Sequence, residues 1–119
     1  MPKIKVNIVL KTPIKTYQYL VPAIYQEQED YIIYKEPTTD NTLVKFDYKH
    51  NELKRDNNKI TMCYKFNKNK KTTGTISLKE LNKMVTLNIK TTNIIHKSNN
   101  IEITYLIEDE LYNYKIEVI

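Results

Sequence analysis

Arg55 is the only arginine among 19 basic side chains. Its planar guanidinium carries five donors in a fixed fork and pairs bidentately with a carboxylate in a way that lysine does not. Glu36 is the carboxylate whose position suits it. It ends the stretch Tyr31-Ile32-Ile33-Tyr34-Lys35-Glu36, where Ile32, Tyr34 and Glu36 project to one face and Tyr31, Ile33 and Lys35 to the other. Lys35 marks its own face as wet, so Glu36 falls on the face left for the core. Either Glu36 is solvated at a rim where the strand ends, or it points inward and needs a partner, because a buried charge without one is costly. Arg55 shares a strand face with Leu53 and has three readings: an ion pair with Glu36 that plugs one end of the fold, an anchor for a ligand carboxylate or phosphate, or a plain surface residue.

Tyrosine supplies the other candidate chemistry. The chain has ten Tyr, two Phe and no Trp. Alternation puts Tyr19, Tyr25, Tyr34, Tyr48, Tyr64, Tyr105, Tyr112 and Tyr114 on inward faces. Buried phenols want hydrogen-bond partners, so these side chains either build a mixed core or line an amphipathic pocket. His50 and His96 fall in turn or loop segments and have no Ser or Cys at an interpretable spacing. Cys63 lies on the Lys-bearing face of its strand and reads as a small outward residue. The densest basic run, Lys65-Phe66-Asn67-Lys68-Asn69-Lys70-Lys71, supplies charge for phosphate binding. Its single ring, Phe66, belongs to the core face, so the run lacks an exposed platform for stacking bases and reads as a solvated hairpin loop.

The elements that must position these groups are short strands. Ile4, Val6, Ile8 and Leu10 alternate from Lys3 to Leu10, and Tyr19, Val21, Ala23 and Tyr25 do so from about Tyr17 to Gln26, where Pro22 predicts an edge, a bulge or a bend. Gln28 to Asp30 reads as a turn and Pro37 to Asn41 as a loop. Further strands are expected at Thr42–Tyr48, Glu52–Asp56, Lys59–Asn67, Thr72–Leu78, Met84–Thr91, Ile101–Ile107 and Leu111–Val118. Asn57-Asn58 reads as a turn because Asn tolerates positive φ. Gly74, the only glycine, predicts a bend or a close backbone approach. Lys79 to Lys83 could hold one helical turn, and Val85, Leu87 and Ile89 are expected inward. Thr92 to Asn100 is less regular, with a short strand at Ile94 to Lys97.

Such strands, joined by short connections with almost no helix, favour antiparallel neighbours. A meander this long leaves two edges exposed, and closing it removes them. The sequence therefore predicts one all-β domain over 1–119, a closed antiparallel up-and-down β-barrel of roughly 8–10 strands, with a β-sandwich as the alternative. An interior of that size is filled by side chains or holds one small ligand. The 119 residues, 40% hydrophobic and 28% charged, suit a single globular core. No apolar run approaches the roughly 18 residues of a membrane span. Met1 to Lys5 lacks a signal-peptide pattern, and a cytoplasmic setting is expected. The single cysteine excludes an intramolecular disulfide, and two isolated histidines do not make a zinc site. The net charge of +5 comes from a chain heavy in Lys, Asn, Ile and Tyr, whose codons are AT-rich, and reads as base bias on tolerant positions.

Three stretches carry a family resemblance: Tyr25 to Glu36; Leu53-Lys54-Arg55-Asp56-Asn57 followed by Met62 and Phe66; and Thr75 through Thr91 and Thr92 to Ile101-Glu102-Ile103-Thr104-Tyr105. Together they resemble the YwiB-like family of small bacterial calycin-type, or lipocalin-like, barrels. Asn57 and Asn82 stand at turn positions where that family has Gly-like residues. The resemblance implies a closed β-barrel with room for an internal site, and no particular activity.

The function these readings favour is a non-catalytic barrel that binds a small amphipathic or anionic ligand at one end. Arg55 and Glu36 would fix its polar part, and Tyr25, Tyr34, Met62 and Tyr64 would line the apolar part. No cofactor or metal is implied, and no residue set supports an enzyme. The alternative, from another class, is a basic accessory protein that contacts RNA or a protein partner through its surface loops.

Overall fold

The computed structural model describes residues 3–26, 30–38 and 40–119. The strands are β1 (Lys3–Lys11), β2 (Thr16–Gln26), β3 (Tyr31–Lys35), β4 (Leu43–Asp47), β5 (Glu52–Asp56), β6 (Ile60–Lys65), β7 (Thr72–Leu78), β8 (Lys83–Lys97), β9 (Asn100–Ile107) and β10 (Glu110–Val118). Each pairs antiparallel with the next, and β1 closes on β10 from Val6↔Val118 to Lys11↔Asn113. That seam makes a closed ten-strand up-and-down barrel rather than the sandwich alternative. It pairs the two strands that would otherwise be open edges.

The inward faces follow the alternation. Val6, Ile8, Ile32, Val44, Phe46, Ile89, Ile103 and Ile116 are the most deeply buried side chains. They meet across the barrel because each takes the inward parity of its own strand. Pro22 stands opposite Lys5 of β1, and the ladder from β2 to β3 begins at the next residue, with Ala23 opposite Tyr34. The proline thus sits where β2 gains its second neighbour, an edge-like place that tolerates a missing donor. Gly74 faces Tyr64 across the β6–β7 ladder. A Cβ there would lie 2.6 Å from Tyr64 Cδ1 and 2.9 Å from Ile89 Cδ1, so the close approach expected of this glycine is real.

Four local expectations are corrected. β8 is one strand of 15 residues, not a strand, an irregular segment and a second strand. A bulge between Thr91 and Asn93 admits Thr92 as an extra residue. It switches the inward parity from Ile89 and Thr91 to Ile94, which in sequence looks like a break. Val85 is 42% exposed rather than inward, because Lys83 to Asn88 pair with β7 alone and β9 joins only at Ile89. Lys79 to Lys83 forms a tight turn, not a helical one, with Asn82 at φ 47°. Asn57 turns the chain without positive φ: its Oδ1 accepts from the amides of Lys59 at 2.8 Å and Ile60 at 2.9 Å, and its Nδ2 donates to Thr42 Oγ1 at 2.9 Å. Of the Gln28–Asp30 turn, only Asp30 lies within the described residues, at φ 59°. Thr39 of the Pro37–Asn41 loop and Met1-Pro2 also lie outside them.

Candidate functional site

One end of the barrel holds a cavity of about 370 Å³. Arg55 of β5 and Glu36, the residue after β3, stand in its wall. So do seven of the ten tyrosines: Tyr17, Tyr19, Tyr34, Tyr64, Tyr105, Tyr112 and Tyr114. Leu10, Leu53 and Met62 give it an apolar lining, and Thr12 and Thr38 complete the wall.

Glu36 is the inward carboxylate of the two alternatives, only 6% exposed. Arg55 Nη2 donates to its Oε1 at 2.5 Å, and the Tyr19 hydroxyl donates to its Oε2 at 2.6 Å. Both carboxylate oxygens are therefore engaged, which a buried charge requires. β5 can present Arg55 here because Val44 of β4 lies opposite it on one side and Met62 of β6 on the other. Burial works against the guanidinium charge, but the hydrogen bond and the charge of Glu36 outweigh it, so Arg55 titrates above its ordinary value. Its Nε–H is buried and has no partner among the described residues.

Deeper in the cavity, the hydroxyls of Tyr34 and Tyr114 share a hydrogen bond of 2.6 Å. The Tyr105 and Tyr112 rings stack at 5.4 Å and 9°. Tyr64 meets Tyr105 edge-on at 6.3 Å. Burial raises the phenol pKa of Tyr34, Tyr64, Tyr105 and Tyr114 above the ordinary value. Burial, then the hydrogen bond to Glu36, does the same for Tyr19. These phenols stay protonated at neutral pH, so they offer neutral donors and ring faces rather than phenolate bases.

Of the six residues expected to form the site, Arg55, Glu36, Tyr34, Met62 and Tyr64 come together in this wall. Tyr25 does not. It lies six residues along β2 from Tyr19, about 20 Å at the rise of a strand, and stacks on Tyr48 at 5.9 Å. Both border a smaller cavity of about 90 Å³, lined also by His96, Asn100 and Ile101. Alternation fixes which side a residue faces but not its height in the barrel. Tyr17, Leu10, Thr12 and Thr38 are wall residues that the sequence pattern did not single out. Tyr17 carried a usable signal, because it shares the parity of Tyr19.

Elsewhere, His50 Nδ1 is bound to Asp47 Oδ2 at 2.8 Å, and His96, on β8 rather than a loop, has Nε2 against Asn51 Oδ1 at 3.0 Å. Burial pushes the Cys63 thiol pKa up, the nearby Glu52 carboxylate adds to the rise, and the sulfur stays protonated. Among the described residues, no group of three or more His, Cys, Asp or Glu could hold a metal ion. In the basic run, Lys65, Lys68, Lys70 and Lys71 are exposed, and Phe66 is buried in the core at 3% exposure.

Fold and site together define a closed antiparallel barrel with an end cavity walled by tyrosines and one arginine–glutamate pair. Comparison of the chain with protein-family models, curated proteins and solved structures found no match.

Proposed function

We propose that this barrel is a non-catalytic binding protein for a small amphipathic or anionic molecule held in the end cavity. The observation that carries the reading is the cavity of about 370 Å³ with Arg55 in its wall. That size lies near the lower end of the roughly 300–1,000 Å³ of small-molecule sites. A mostly apolar wall with a few placed polar groups is the composition such sites have. In this reading Arg55, held by Glu36, fixes the polar part of the ligand, while Tyr34, Met62, Tyr64 and the stacked Tyr105 and Tyr112 cover the apolar part. Membership of the YwiB-like group of calycin-type barrels and a cytoplasmic setting belong to the same proposal. The unpaired Cys63 supports that setting, since it needs no oxidising compartment. Among the described residues, no helix is long and apolar enough to cross a membrane.

Native mass spectrometry of freshly purified protein, beside a denatured control, tests the reading. The expected outcome is an additional mass that is lost on denaturation. A bare protomer mass, together with no uptake of amphipathic probes by the purified barrel, would refute it.

A further inference from the structure

We infer that the ligand is a neutral, flat aromatic compound bearing a hydrogen-bond acceptor, and that this acceptor docks on Arg55. The inference rests on the binding-barrel reading and deepens it.

Charge is the first argument. Among the described residues, the cavity wall carries one cation, Arg55, and one anion, Glu36, already joined at 2.5 Å, and no lysine lines it. A ligand carboxylate on Arg55 would sit beside the Glu36 carboxylate, and two adjacent carboxylates disfavour each other's ionisation. The wall therefore favours a guest without net charge.

Hydrogen bonding is the second. Glu36 accepts from Arg55 with one oxygen and from Tyr19 with the other. Tyr34 and Tyr114 share one hydrogen bond, in which one hydroxyl donates and the other accepts. Among the described residues, the Nε–H of Arg55 is a buried donor without a partner, and the protonated phenols of the wall are donors too. The Arg55 side chain lines the cavity and is 30% exposed, so a ligand carbonyl or ring nitrogen finds its donor along the accessible edge of the guanidinium.

Shape and surface are the third. Seven tyrosines surround the space, and Tyr105 and Tyr112 already stack nearly parallel at 9°. Aromatic rings prefer offset-stacked or edge-on neighbours, and this wall offers both. At about 370 Å³ the space is large enough for a compact fused-ring compound.

Three naphthalene probes that differ in one substituent test this on the folded protein, freed of any co-purified compound, by isothermal titration calorimetry. They are 2-acetylnaphthalene (a neutral acceptor), 2-naphthoate (an anion) and 2-ethylnaphthalene (no acceptor). The acetyl compound is expected to bind about tenfold tighter than the ethyl compound, the increment of one hydrogen bond to a charged donor, and tighter than the naphthoate. Arg55→Lys keeps a positive charge for Glu36 but removes the guanidinium fork. It should erase the advantage of the acetyl compound over the ethyl compound. Equal binding of the acetyl and ethyl compounds, or tightest binding of the naphthoate, overturns the inference. The wild-type series decides this even if Arg55→Lys fails to fold. If ethylnaphthalene binds without an acetyl advantage, the acceptor inference falls and the binding barrel stands. If none of the three binds, the inference falls, and the native mass measurement decides whether the binding barrel falls with it.

Discussion

Tyr34 and Tyr114 are 80 residues apart in the chain, yet their hydroxyls meet at 2.6 Å inside the barrel, both side chains being about 3% exposed. Removing one hydroxyl leaves the other without its partner. Tyr34→Phe should cost on the order of 1–3 kcal/mol, whereas replacing both hydroxyls leaves nothing unpaired and should cost less than the two single changes summed. Urea unfolding of the two single variants and the double variant checks this as a double-mutant cycle. A coupling energy of at least about 0.5 kcal/mol is expected, and additive effects would show that the two hydroxyls do not depend on one another. The Arg55–Glu36 pair was legible in the sequence, because a lone arginine and an inward carboxylate each stand out by type and parity. The Tyr34–Tyr114 pair was not. Among eight inward tyrosines, nothing local says which two will face each other once β3 and β10 are brought around the barrel.

At the scale of elements, β7 depends on having no side chain at Gly74. Added at that position, a Cβ meets Tyr64 Cδ1 at 2.6 Å and Ile89 Cδ1 at 2.9 Å. Tyr64 packs edge-on against Phe66 and Tyr105, and Ile89 is fully buried, so a shift of either disturbs its own packing. Gly74→Ala should therefore destabilise by about 1–3 kcal/mol through overpacking. That would be read as a lower urea midpoint with an unchanged slope, and a neutral or stabilising result would mean the two side chains yield freely. A lone glycine in a strand announced the close approach, but not what it approached. β8 teaches the opposite lesson. Its two halves are each regular, but the extra residue Thr92 puts them out of phase, and only pairing with β9 shows that the strand continues, with Thr92 Oγ1 donating to the Thr104 carbonyl at 3.1 Å.

The molecule as a whole gathers its phenols. Tyr19, Tyr34, Tyr64, Tyr105 and Tyr114 all titrate above the ordinary 10.0, chiefly because each is buried. The folded barrel then holds these protons more tightly than the unfolded chain does. The stability this contributes is fully present below the unfolded value near 10.0 and is lost as pH rises through it toward the folded values, because the unfolded state gives up protons that the folded state keeps. Urea midpoints should hold on this account up to that range and fall beyond it. Phenolate absorbance of the native protein should lag behind that of the urea-unfolded chain at the same alkaline pH. Superimposable titrations would contradict the burial of these hydroxyls.

What the sequence determined by itself was local: the alternation that separates inward from outward residues, the turn residues between strands, the need to close a long meander, and the chemical oddity of one arginine, one glycine and ten tyrosines. These are legible because side-chain parity and turn chemistry depend on neighbours in the chain. Only the tertiary structure decided the heights. It set Tyr25 at the far end beside Tyr48, carried Val85 past the wall, and brought Glu36, Arg55 and Tyr19 into one network at the other end. The stagger between paired strands and the β1–β10 seam fix those heights, and both are settled only when the sheet closes on itself.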